Sequence, residues 1–136
     1  MGNSIKLPFP GGATVYVQAY ANAAYTQAVT ITPPSGSAAM FQGSGEYNAT
    51  IPLKTQGFLT PHSGGQPSFV VPGSGAQSYT ISVTANGQPS GVMGNVNTIL
   101  TPSGGQILVG IVSSEDAQDN DWNDSVTIFT SYVPPS

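Results

Sequence analysis

Five of the six carboxylates in this chain fall within the ten residues Glu115-Asp116-Ala117-Gln118-Asp119-Asn120-Asp121-Trp122-Asn123-Asp124. The net charge of −4 therefore divides into −5 in this stretch and +1 over the rest, from Glu46, Lys6 and Lys54. Carboxylates crowded into one dry site repel each other strongly, and something positive must offset them. With two lysines and no arginine, the chain supplies little of that charge itself. Carboxylate and amide oxygens are hard donors, so the fitting counter-charge is a bound hard cation, for which calcium is the natural candidate.

The spacing Asp119-x-Asp121-x-Asn123 superficially suggests the helical EF-hand loop. That reading fails because Asp124 stands at the sixth position, where glycine is required, and Thr130 at the twelfth, where glutamate is required. The loop reads instead as a β-type oxygen cage. It lies between two strand candidates, 106–112 and 125–132, and a loop clamped between rigid elements is where binding groups are usually presented.

Period-2 alternation dominates the rest. Over Ala13–Ala21, small apolar residues take one face while Thr14, Tyr16, Gln18 and Tyr20 take the other. Tyr79, Ile81, Val83 and Ala85 alternate with polar residues in the same way, and Asn86-Gly87 follows as a hairpin turn signal. Further strands are expected at 25–32, 37–42, 47–52, 67–71 and 95–101, separated by turn clusters such as Pro72-Gly73-Ser74-Gly75. The expected fold is all-β, an antiparallel β-sandwich of about nine short strands. Residues 54–66, with the lone His62, are the least regular part and read as a long loop or insertion.

Composition narrows the function classes. The length, 136 residues, fits one domain with a real core, and without cysteine there are no disulfides or thiolate metal sites. Charged residues make up 6%, against a usual share of about 25%. An acidic chain without basic clusters argues against nucleic acid as a partner. No apolar run approaches the roughly 20 residues of a membrane span. No apolar signal core follows Met1–Lys6, which leaves localisation open, with cytoplasmic synthesis and non-classical release as the expectation.

Ser114-Glu115-Asp116-x-x-Asp119-Asn120-Asp121-Trp122-Asn123-Asp124 and the apolar strand after it closely resemble the calcium loop of the bacterial fucose/mannose-binding lectins of the fucose-binding lectin II type. Leu7-Pro8 followed by Val15…Ala19-Tyr20-Ala21-Asn22 looks like the family's first strand, which ends in an Ala-Asn ligand position. Asn86-Gly87-Gln88-Pro89-Ser90 resembles its central hairpin. The resemblance covers most of the chain and implies a single calcium-dependent lectin domain over 1–136, with a loop insertion around 54–75.

Carried over residue by residue, the resemblance implies two Ca²⁺ per site. Glu115, Asp119, Asp121 and Asp124 would hold one ion, and Asn22, Asp121, Asn123 and Asp124 the other. Asp116 and Asp119 would hydrogen-bond the sugar, a mannose- or fucose-type glycan. The family tunes sugar choice through hydroxyls just after the Asn ligand. Ala23-Ala24-Tyr25 stands there instead, which implies a tilt towards mannose. A cross-subunit carboxylate, supplied in the family by a C-terminal glycine, could come here only from Ser136. A homo-oligomer is implied because single sugar contacts are weak and several sites act together.

Other readings compete with this one. In the alternative reading, calcium serves only to rigidify the loop of a structural or adhesive β-sandwich. Paired carboxylates could in principle hydrolyse glycosides, but metal would saturate this cluster, so the chain reads as a binding protein and not an enzyme. Trp122 could stack on a sugar; packing under the loop is the preferred reading. His62 reads as a surface loop residue.

Overall fold

A computed structural model of the chain describes residues 2–116 and 121–135. Among the described residues ten strands form: β1 (Ser4–Phe9), β2 (Thr14–Thr32), β3 (Ala39–Thr50), β4 (Leu53–Thr55), β5 (Ser68–Val70), β6 (Gln77–Ala85), β7 (Gln88–Pro89), β8 (Gly91–Leu100), β9 (Gln106–Glu115) and β10 (Ser125–Val133). Among the described residues no helix is long and apolar enough to cross a membrane. The main strand order is β1-β6-β2-β10-β9-β8, with antiparallel pairing throughout. Val92 N–H donates to the Gly2 carbonyl at 3.0 Å, so β8 returns to the chain just ahead of β1. The curled sheet forms two layers around one core, the all-β antiparallel architecture expected.

Two pairs of expected strands are continuous. Segments 13–21 and 25–32 merge into β2, and 37–42 and 47–52 contribute to β3. The first half of β2 pairs with β10, from Val15↔Ser131 to Ala21↔Ser125. Its second half pairs with β6, from Gln27↔Ala85 to Thr32↔Thr80. One strand thus passes from one layer to the other, turning at 22–26, where its register with β3 shifts twice. Bulges of this kind let a strand turn a sandwich corner without ending. The buried Gln27 side chain donates to the Tyr25 carbonyl at 3.2 Å and braces that corner.

Both layers send alternate residues inward. Val15, Val17, Ala19 and Ala21 come from the first half of β2, Val29 and Ile31 from the second, and Phe129 from β10. Burying each large apolar side chain contributes roughly 1.5–3 kcal/mol before the entropy of ordering is subtracted. An aromatic cluster closes one end, with Phe69 and Tyr79 ring centroids 4.6 Å apart and Phe58 stacked on Tyr79 at 5.6 Å. Burial pushes the Tyr79 phenol above its ordinary pKa.

Phe58 and the buried Leu59 belong to the irregular 54–66 segment, which is therefore anchored in the core. Thr60 and Ser68 close its base by exchanging main-chain hydrogen bonds of 2.7 and 3.0 Å. At the other end, Asn86 (φ 48°) and Gly87 (φ 82°) make the tight turn between β6 and β7 that their sequence announced. β1 was not anticipated. It lies at one end of the strand path, where Pro8 is tolerated.

Candidate metal and ligand site

The acidic loop springs from the paired ends of β9 and β10. Ser114 and Ser125 face each other in register, with their hydroxyl oxygens 2.6 Å apart. Ser125 N–H also donates to the Ser114 hydroxyl at 3.1 Å, and Asp124 N–H to the Ser114 carbonyl at 3.1 Å. Directly above this clasp stand Glu115 and Asp124, which are only 4% and 5% exposed. Carboxylates are almost never buried to that degree without a partner of opposite charge or strong donors.

Main-chain donors shape the loop around these two groups. Asp124 Oδ2 accepts from Asp116 N–H at 2.8 Å, and Glu115 Oε2 from Asp121 N–H at 3.1 Å. Charge-assisted bonds of this kind are about twice as strong as neutral ones. Trp122 sits in the left-handed region at φ 57°, which costs of order 1–3 kcal/mol and persists only where surrounding structure imposes it. The kink puts Asp121, Asn123 and Asp124 around one hollow. The Trp122 ring lies against β8, and a Cβ on Gly91 would come within 3.2 Å of its Cη2. Trp122 is half-buried, with its ring edge beside β8.

Carboxylate oxygens of Glu115, Asp121 and Asp124 all lie within 4.8 Å of one another. That spread fits the coordination sphere of calcium, whose oxygen ligands lie at roughly 2.3–2.6 Å from the ion. Neither Lys6, on β1, nor Lys54, on β4, lines the hollow. The donor set is all oxygen, anionic and part-buried, so it fits a hard divalent cation.

The hollow, about 380 Å³, also takes in the β2 corner. Asn22, Ala23, Ala24 and Tyr25 line it beside Asp116, Asp121, Asn123 and Asp124, so the structure brings together nearly every residue singled out from the sequence. Asn22 N–H donates to the Asp124 carbonyl at 3.0 Å and ties the corner to the loop. The Asn22 side chain is clasped by Asn48, donating to its Oδ1 at 2.8 Å and accepting from its main-chain N–H at 2.7 Å. Asp116 is shared with a neighbouring hollow beside the Asn86-Gly87 turn. Asp119 and Ser136, both assigned roles from the sequence, lie outside the described residues.

Glu46, Asn48 and Gly91 are parts of this region that sequence reasoning did not place. Glu46, from β3, is a further carboxylate on the hollow's lining. The one available signal was that it is the sole acidic residue outside the loop.

A family model for fucose-binding lectin II (PA-IIL) matches residues 5–133. No curated protein matches the chain. Among solved structures, the Ralstonia solanacearum high-affinity mannose-binding lectin is similar at 26% identity and TM-score 0.63, covering 96% of each chain. The Chromobacterium violaceum lectin CV2L, solved with α-methyl-fucoside, shares 24% identity at TM-score 0.62 with 96% of each chain covered. The C-terminal domain of the Burkholderia cenocepacia lectin BC2L-C shares 21% at 0.62, covering 96% of this chain and 95% of that one. The last two likenesses speak for the fold alone.

Proposed function

We propose, from the premise that this chain belongs to the fucose-binding lectin II family, that it captures mannose- and fucose-type glycans through a pair of calcium ions held by the acidic loop. The family is one of lectins, so the chain is a carbohydrate-binding protein and not an enzyme. One observation carries the calcium reading. Carboxylate oxygens of Glu115, Asp121 and Asp124 converge within 4.8 Å, with Glu115 and Asp124 buried, and Asp121 and Asp124 line a hollow with no cationic side chain among its described lining residues.

In this reading Glu115, Asp119, Asp121 and Asp124 hold one ion, and Asn22, Asp121, Asn123 and Asp124 the other, with Asp121 and Asp124 shared. The Asn22 side-chain oxygen already accepts from Asn48, so its main-chain carbonyl is the better-placed donor to a cation. Bound calcium supplies a doubly charged centre that accepts vicinal sugar hydroxyls in place of water. Asp116 and Asp119 accept hydrogen bonds from those hydroxyls, and Ala23, Ala24 and Tyr25 set the shape of the sugar's berth. The test is calorimetric titration of mannose with and without chelator. Binding is expected only without it, and a titration that survives EDTA overturns the mechanism.

Neither alanine side chain at 23 or 24 can donate to a sugar, whereas Glu46 adds an acceptor to the rim. On a glycan array mannosides are therefore expected to outrank fucosides, and a strong fucose preference would count against this assignment of the berth. The Ralstonia lectin, which is named for mannose binding, is consistent with that order.

Self-association belongs to the same proposal. The outward face of β8, β9 and β10 carries Met93, Ile99, Ile107 and Ile111, all exposed, beside the half-buried Val126 and Ile128. This face, which also carries Asn95, Asn97, Ser113 and Thr130, is uncharged and can meet its own copy across a two-fold axis without like-charge repulsion. A second reading, calcium as a purely structural brace, draws support from the burial of Glu115 and Asp124. It expects calcium to raise the melting temperature with no sugar bound at any concentration.

A further inference from the structure

A second hollow among the described residues lies away from the acidic loop. It encloses about 710 Å³ on the outward face of the β2–β10 pair. Tyr16 and Gln18 of β2 form its floor, with Thr130 beside Tyr16 in register. Residues 50–53 make one wall and residues 61–67 the other. The second wall is the irregular segment anchored by Leu59 and clipped at Thr60 and Ser68.

Three features define what this hollow could hold. First, no lysine, arginine, aspartate or glutamate lines it among the described residues, so a charged ligand finds no permanent counter-ion. Second, its polar groups are held in place. Tyr20 OH donates to Gln18 Oε1 at 2.7 Å, which leaves the Gln18 amide nitrogen to donate. His62 Nε2 sits 2.8 Å from the Ser68 hydroxyl oxygen, which fixes the imidazole. Third, the Tyr16 ring is 43% exposed, and its centroid lies 6.2 Å from that of His62 at an interplanar angle of 41°. The two rings make an aromatic corner open to the hollow.

Few, oriented, neutral hydrogen-bonding groups beside an exposed ring suit a ligand that is uncharged, rich in hydroxyls and apolar on one face. A pyranose ring has that chemistry. A phosphate-bearing ligand would lack cations here, and an acyl chain would strand Gln18, Thr50 and Thr130. We propose that this hollow is a second saccharide site, independent of metal and built in part by residues 61–67.

The site does not rest on the calcium reading. Tyr16 and Asn22 lie six residues apart on β2, about 20 Å in extended chain. A branched glycan could therefore engage both sites of one molecule, and a linked second contact multiplies the first.

The test uses the isotope-labelled full chain in EDTA, titrated by NMR with methyl α-mannoside, methyl β-glucoside, methyl β-galactoside and N-acetylglucosamine at millimolar concentration. At least one probe is expected to shift the amides of Tyr16, Gln18, Thr50 and Gln66. Tyr16→Ala should weaken that response about fivefold or more, the loss of one packed ring. Gln66→Ala, on the wall rather than in a strand, should weaken it with an otherwise unchanged spectrum. The proposal is overturned if no probe shifts these amides, or if both variants respond as the wild type does. Shifts confined to 22–25 in EDTA would overturn it too, and would separately count against the calcium mechanism.

Discussion

Asp121→Ala is expected to lower affinity for mannose in calcium by at least about a hundredfold, beyond the 10–100-fold typical of losing a ligand's outer-shell support. Asp121 contributes to the convergent carboxylate trio and, in the proposed arrangement, serves both ions. The main-chain N–H through which Asp121 donates to Glu115 is kept by alanine. Its side chain is exposed, so no core packing is lost. The melting temperature in calcium should fall as well, since the remaining carboxylates face one another with weaker compensation. Calorimetry with mannose and thermal melting across a calcium series read both effects. A variant that binds mannose as the wild type does would refute the shared-ligand role.

Glu115→Gln is expected to change stability in opposite directions in two buffers. Glu115 and Asp124 are buried, with carboxylate oxygens within 4.8 Å. Two unit charges at that distance repel by about 3 kcal/mol at an effective dielectric of ~20. In EDTA, removing one charge should therefore raise the melting temperature, by about 3–5 °C for each kcal/mol recovered in a domain of this size. In calcium the same change removes an anionic ligand and should lower it, because breaking a buried charge set costs more than never forming it. The crossing of signs is the diagnostic. An equal shift of one sign in both buffers would mean that no cation sits on Glu115.

The loop was legible in the sequence because its ligand candidates are contiguous. Glu115, Asp116, Asp121, Asn123 and Asp124 arrive together on one hairpin, and no long-range folding is needed to see them. The strand pattern was legible for a similar reason, since period-2 alternation over Ala13–Ala21 and Tyr79–Ala85 is local. Glu46, Asn48 and Gly91 were not legible in this way. Each reaches the region through pairing or packing between distant strands, which no spacing rule records. The unity of β2 was hidden because a bulge at 22–26 leaves no composition mark: Asn22-Ala23-Ala24 looks like a strand end. β1 is hard to see in the sequence because it contains Pro8, although an edge position tolerates a residue with no N–H to donate.

Because β2 turns the sandwich corner beside the site, the proposed recognition rim is not a flexible ornament on a rigid body. Loosening Asn22–Thr26 would sever the hinge between the strand's two hydrogen-bonded halves, one laced to β10 and the other to β6. Saturation with sugar and cation should consequently retard amide deuteration in Val15–Ala21 and Val29–Thr32 together, as one cooperative unit.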